Sequence, residues 1–170
     1  TIVENKIAAR VGFYVRFSSS HNRISENNIM NSDYGIIADY FSSYNSIVRN
    51  NITNSNGYGI QLWQSYHNSI SENTIASNRG IYLTECSDNS ISLNNLTNHE
   101  GGIWLENSST INITGNMFTN DGLLVWHSYG NVVEDNLVNG KPLVYLEGVS
   151  GFTIENAGQV ILVNCDSIRG

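Results

Sequence analysis

The sequence predicts an all-β solenoid, a stack of coils built from short strands joined by polar corners. Three observations carry this. Seven asparagines, Asn5, Asn27, Asn50, Asn73, Asn94, Asn116 and Asn136, recur at a nearly constant interval. Each lies three residues after an aliphatic one (Ile2, Ile24, Ile47, Ile70, Ile91, Ile113, Val133) and two before another apolar one (Ile7, Ile29, Ile52, Ile75, Leu96, Phe118, Val138). The aliphatic column advances in steps of 22, 23, 23, 21, 22 and 20 residues. Such a period marks units that bury their apolar face only by stacking on one another.

The coil from Ile70 to Ser90 shows the elements in order. Ile70 points inward, and Ser71 and Glu72 lead to a corner at Asn73 and Thr74. Asparagine tolerates left-handed backbone angles better than other non-glycine residues. Stacked asparagines can also hydrogen-bond from coil to coil, so the column is expected to be a structural ladder without chemistry of its own. Ile75 turns inward again, and a polar loop runs from Ala76 to Arg79. After Gly80, Ile81-Tyr82-Leu83-Thr84 alternates with period two, the mark of a half-buried strand with Ile81 and Leu83 inside and Tyr82 and Thr84 outside. The turn Ser87-Asp88-Asn89-Ser90 delivers Ile91 to the next coil.

Length variation is localised. From the first inward residue of the alternating strand to the next anchor the steps are 11, 11, 10, 10, 10 and 10, so the loop before that strand absorbs the rest. This edge carries Asp33, Tyr34, Tyr58, Arg79, His99, Glu100, Asp121 and Lys141, and variable loops beside a fixed scaffold are where function concentrates. The last fifth breaks the rule. Around Pro142 the inward residue is either Leu143 or Val144, and the step from Ile154 to Ile168 is only 14. Gln159 to Cys165 still reads as a strand. A solenoid needs capped ends and no polar cap is visible. Residues 1–170 are therefore expected to form one domain that belongs to a longer array or abuts a partner.

Runs such as Asn-Ser-Ile-Ser-Glu-Asn-Asn-Ile and Gly-Ile-Tyr-Leu resemble the right-handed parallel β-helix repeats of the NosD-like, pectate-lyase-like superfamily. The segments Gly140 to Leu146 and Ala157 to Cys165 look like those of its archaeal surface and secreted members. The resemblance implies a right-handed parallel β-helix of about eight coils of 20–23 residues, the last one shortened. It also implies an extracellular or cell-surface location, with the periplasm as an alternative. The superfamily spans polysaccharide lyases and hydrolases, carbohydrate-binding modules, surface-layer components and a periplasmic protein needed for copper-site maturation, so fold does not choose an activity.

Composition narrows the choice. A chain of 170 residues can bury one continuous core. It holds 26 asparagines and one proline; beside an Ile/Val/Leu column those asparagines belong to ordered turns. A net charge of -7 with eight Lys plus Arg argues against a nucleic-acid partner, which needs a cationic face, and against an anionic membrane surface. No apolar run approaches the length of a membrane span. The chain opens at Thr1 in mid-repeat without a secretory segment, as a mature or excised fragment would. Cys86 and Cys165 lie about four coils apart, roughly 19 Å at the coil spacing, beyond disulfide reach.

The outward positions of the alternating strand carry the functional expectation. One column reads Tyr14, Ile37, Gln61, Tyr82, Trp104, Leu124, and the next Arg16, Asp39, Trp63, Thr84, Glu106, Trp126. All three tryptophans fall on this face. Contiguous exposed aromatic surface marks a contact site, here for polysaccharide rings or for a neighbouring subunit or domain. The expected contact residues are Tyr14, Trp63, Tyr82, Trp104, Trp126, Asp39 and Arg16. Catalytic carboxylates are a weaker prospect. Asp39 and Glu106 stand about 14 Å apart at the coil spacing, too far for glycoside hydrolysis, whereas Glu85 and Glu106 come to about 6 Å if Glu85 does not turn away.

The motifs of polygalacturonases and pectate lyases are absent, and of the strong bases a lyase needs only Arg16 lies on this face. His21, His67, His99 and His127 show no ligand spacing, and His21 and His67 stand roughly 10 Å apart at the coil spacing. No metal and no cofactor is expected. The sequons at Asn51, Asn95, Asn107 and Asn112 are what an Asn-, Ser- and Thr-rich chain makes by chance. The sequence therefore points to a non-catalytic secreted or surface module. The rivals are a fragment of a polysaccharide lyase or hydrolase and a surface-layer or sheath subunit that self-associates end to end.

Overall fold

The structure, a computed structural model, describes residues 1–53, 55–97 and 100–170. It is a parallel β-helix. Each coil contributes three short strands, one more than the alternation suggested: in the coil of Ile70 these are Ser69–Ser71, Thr74–Ala76 and Arg79–Thr84. Thr74–Ala76 is too short to show alternation, so a single inward Ile75 was its whole signal. Successive coils stack these strands in parallel register into three sheets. In the first, Ile70 lies between Ile47 and Ile91; in the second, Ile75 lies between Ile52 and Leu96; in the third, Ile81 lies between Ile60 and Ile103. The columns converge on one core in which Ile24, Ile47, Ile60, Ile70, Ile81, Leu83, Ile91 and Leu105 are buried. Among the described residues no helix is long and apolar enough to cross a membrane.

The asparagine ladder runs through the first corner, between the first and second sheets. The main-chain N–H and the Nδ2 of Asn50 both donate to Oδ1 of Asn73, at 2.9 and 3.0 Å, and Asn73 does the same to Asn94 at 2.9 and 3.0 Å. The left-handed backbone falls elsewhere than expected. It belongs to the residue before each ladder asparagine, including Glu26, Arg49, Glu72 and Leu93 at φ of 59°, 55°, 55° and 56°. The asparagine is therefore selected for its side chain, which spans coils and satisfies backbone groups the corner leaves unpaired.

A second ladder lies at the other end of the first sheet. Main-chain N–H groups of Asn22, Asn45 and Asn68 donate to Oδ1 of Asn45, Asn68 and Asn89 at 2.9, 2.8 and 2.8 Å. Its signal was present in the sequence as an asparagine two residues before Ile24, Ile47, Ile70 and Ile91. At the third corner a column of hydroxyls, Ser42, Ser65, Ser108 and Ser128, donates back to the carbonyls of Asp39, Trp63, Glu106 and Trp126. Cys86 continues that column through Sγ to the Thr84 carbonyl at 3.3 Å.

Each strand of the third sheet has a glycine at or beside its start, buried at Gly35, Gly59, Gly80 and Gly102. A Cβ on Gly12 would stand 2.5 Å from the Gly35 carbonyl oxygen and 2.7 Å from Ile29 Cγ2, so only hydrogen lets that sheet close onto the second.

Among the described residues six complete three-strand coils form, rather than about eight. The seventh opens with Val132–Glu134 and Leu137–Val138 and then reverses. Asn139 and Gly140 both take positive φ, 51° and 77°, the requirement of a two-residue hairpin turn. Lys141–Glu147 therefore runs antiparallel to Leu137–Val138, with Val138 beside Lys141. Gln159–Val163 pairs with it in parallel, Leu143 opposite Gln159. That register, with Ser150 opposite Asp166, makes the shortened last coil a step of 16 rather than 14. Leu143, not Val144, takes the buried position.

One side chain covers the free edge of the third sheet at Leu123. The Gln159 side chain accepts from Leu123 N–H at 2.9 Å and donates to the Leu123 carbonyl at 2.8 Å. It replaces the strand that would otherwise continue the third sheet beyond Leu123–Trp126.

Candidate functional site

The outer face of the third sheet carries the expected residues in the expected columns. Tyr82 lies between Gln61 and Trp104, and Thr84 between Trp63 and Glu106; Glu106 pairs with Trp126. Tyr34 and Tyr58, residues of the loop edge, join the same row of rings. They extend the aromatic surface beyond the two columns read from the sequence. Ring centroids follow one another across four coils: Tyr34 to Tyr58 at 6.5 Å, Tyr58 to Tyr82 at 4.6 Å and Tyr82 to Trp104 at 5.5 Å. Trp126 is 60% exposed beyond this row, and among the described residues its ring contact is with the neighbouring His127, at 5.1 Å.

Two hollows adjoin at Tyr34. The first, about 280 Å³, is lined by Tyr14, Arg16, Tyr34, Asp39, Tyr40 and Trp63 among others. Asp39 is 4% exposed and accepts from Arg16 Nε at 3.1 Å. The Arg16 guanidinium lies 4.4, 4.7 and 5.2 Å from the ring centroids of Tyr14, Phe17 and Tyr40, and the Tyr40 ring meets Trp63 at 4.8 Å. Burial and a hydrogen bond to Asp39 push the Tyr14 phenol above its ordinary pKa. Desolvation of one carboxylate, offset by a cation and a phenol, thus builds a rigid wall of rings. The second hollow, about 370 Å³, is polar, with Arg10, Asp33, Asn56, Asn78 and Arg79 around Tyr34.

The two glutamates considered for catalysis have different hydrogen-bond partners. Glu106 accepts a short hydrogen bond from the Tyr82 hydroxyl; burial first, and then that bond, push the Tyr82 phenol up to about 12. Glu85 sits in the left-handed turn after the strand, at φ 53°, and its carboxylate accepts from Gln64 Nε2 at 2.7 Å. Asp39 and Glu106 lie in one column with Trp63 and Thr84 between them.

Fold and face together define a parallel β-helix protein with an aromatic strand face. The family model described as periplasmic copper-binding protein (NosD) matches residues 1–121 and 79–167. The chain belongs to the NosD family, and at that level it is an extracytoplasmic protein. A search of curated proteins finds no match. Among solved structures, two mutant forms of the periplasmic alginate epimerase AlgG are similar. They share 16% and 17% identity with the chain, at TM-scores of 0.58 and 0.59. Each similarity covers 98% of this chain and 44% of the epimerase chain, and it is a likeness of fold.

The family's description raises copper, which needs converging imidazole or sulfur donors. Among the described residues no three His, Cys, Asp or Glu side chains come together to hold an ion. Tyr44 stands between His21 and His67, its ring stacked on both at 5.3 and 4.9 Å. Burial pushes the Cys86 thiol up to about 11, against the thiolate a metal requires. The described donors do not fit a resident copper ion. His99 lies outside the described residues.

Proposed function

We propose that the third-sheet face is a non-catalytic polysaccharide-binding surface of an extracytoplasmic protein. The observation that carries this is the row Tyr34, Tyr58, Tyr82 and Trp104, which runs on into the hollow walled by Tyr14, Tyr40 and Trp63. Successive rings come from successive coils, so their rise along the axis follows the strand spacing of about 4.8 Å, close to the length of one sugar ring in a chain. The negative face of an aromatic ring attracts the weakly positive C–H face of a pyranose, while Gln61 and Arg16 offer polar groups at the rim. The separate engagements of Glu85 and Glu106 favour binding over bond cleavage.

The test is binding to an array of immobilised polysaccharides. Wild-type protein should bind at least one glycan, with Trp63→Ala and Trp104→Ala each weakening it about ten-fold or more, or roughly 1.4 kcal/mol. No binding to any glycan would sink the reading; release of new reducing or unsaturated ends, lost in Glu106→Gln, would replace it with an enzyme. A second reading, contact with a neighbouring subunit, is favoured by Trp126 and Leu124, exposed at the last strand of the sheet. A concentration-dependent mass increase abolished by Trp126→Ala would support it.

A further inference from the structure

We infer that the polysaccharide this face takes is an uncharged one; the inference rests on the polysaccharide-binding reading and specifies its ligand class. Among the described residues the face holds three guanidinium groups, and each is already matched. Arg10 Nε lies 3.3 Å from Asp33, Arg16 Nε 3.1 Å from Asp39 and Arg79 Nε 2.6 Å from Glu100. A polyuronate or sulfated glycan brings a negative charge with each unit or two and is recognised by cations free to form forked pairs with it.

Freeing Arg16 for that purpose would leave Asp39 without its cation at 4% exposure, a buried charge that proteins avoid. Glu106 adds a further negative group, held by the Tyr82 hydroxyl, and the whole chain carries -7. The field at the surface therefore repels an anionic polymer rather than drawing it in.

What the face offers instead suits hydroxyl groups. Paired carboxylates keep lone pairs for sugar O–H donors. The amide of Asn56, which reaches Asp33 Oδ1 at 3.4 Å, and those of Asn78 and Gln61 can each donate and accept beside the rings. Flat rings flanked by amides and neutralised carboxylates form a surface for an electrically neutral, hydroxyl-rich chain lying along the stack of coils.

Affinity electrophoresis decides the matter, with mixed-linkage β-glucan, xylan and galactomannan in one set of gels and alginate and polygalacturonate in another. At least one neutral glycan should retard the wild-type protein at low and at high salt, with neither polyuronate doing so, and Tyr58→Ala should lose the retardation while keeping its thermal unfolding cooperative. In Glu100→Gln, which leaves Arg79 without its carboxylate, polyuronate retardation should appear and vanish at high salt. Retardation of wild-type protein by a polyuronate would overturn the neutral class and leave the polysaccharide reading standing. No gain in Glu100→Gln would overturn the charge-matching argument. Failure of every glycan, neutral or acidic, would overturn both.

Discussion

A single ladder asparagine carries several buried hydrogen bonds. Nδ2 of Asn73 donates to the carbonyls of Ile47 and Ser71, both at 3.0 Å, while its Oδ1 accepts twice from Asn50. Asn73→Ala strands these partners in the core, at about 1–3 kcal/mol for each unsatisfied group. The expected loss is about 3–5 kcal/mol in urea unfolding, against less than about 1 kcal/mol for Asn5→Ala at the exposed end of the ladder. Equal losses would show that the ladder is not what holds the corner. The repeat spacing made this column legible, because a buried amide must recur with every coil. The backbone conformation of the corner was not legible. Glu, Arg and Leu all take the left-handed position, which leaves no compositional trace. The aromatic columns were legible for the same reason as the ladder, since the nearly constant step of 10 or 11 residues from strand to next anchor aligns outward residues. The engagement of Glu85 with Gln64 was not, because it depends on which way a turn residue points.

At the level of the element, the third corner shows how one column tolerates chemical variation. Cys86 stands where other coils place Ser42, Ser65, Ser108 and Ser128, with the same bond to a carbonyl two or three residues back. Its thiol is 3% exposed, and burial raises its pKa from 9.0 to about 11. The folded protein keeps a proton that the unfolded chain releases above about pH 9, so this contribution is complete below pH 9 and is lost as pH rises through about 11. The two-unit difference corresponds to about 3 kcal/mol. Cys86→Ser should fold as well as wild type at neutral pH and show a shallower fall in urea midpoint between pH 9 and 11. An unchanged pH profile would assign the alkaline loss to other groups, Tyr82 first among them, whose own window runs from 10.0 to about 12. The hydrogen bonds of this column join residues a whole coil apart as well as close neighbours, and sequence periodicity alone carries no trace of them.

For the molecule as a whole, the end of the stack is the part that periodicity could not describe. Asn139-Gly140 is a strong short hairpin signal, but Asn56-Gly57 is the same dipeptide without a reversal, and the repeat pattern leads the eye to expect another coil. Gln159→Ala should leave both Leu123 main-chain groups unpaired, lower stability by about 1–3 kcal/mol, and speed amide exchange at Leu123 far more than at Ile60 in the middle of the stack. Uniform acceleration at both positions would mean that the stack opens as one unit and not from its end. The parallel register has a mechanical consequence. Every rung between coils lies along the long axis, so the stack resists bending, whereas tension along that axis meets the rungs of one terminal coil at a time. Such a rod is stiff in service and yields by peeling, and the two asparagine ladders are the seams along which it comes apart.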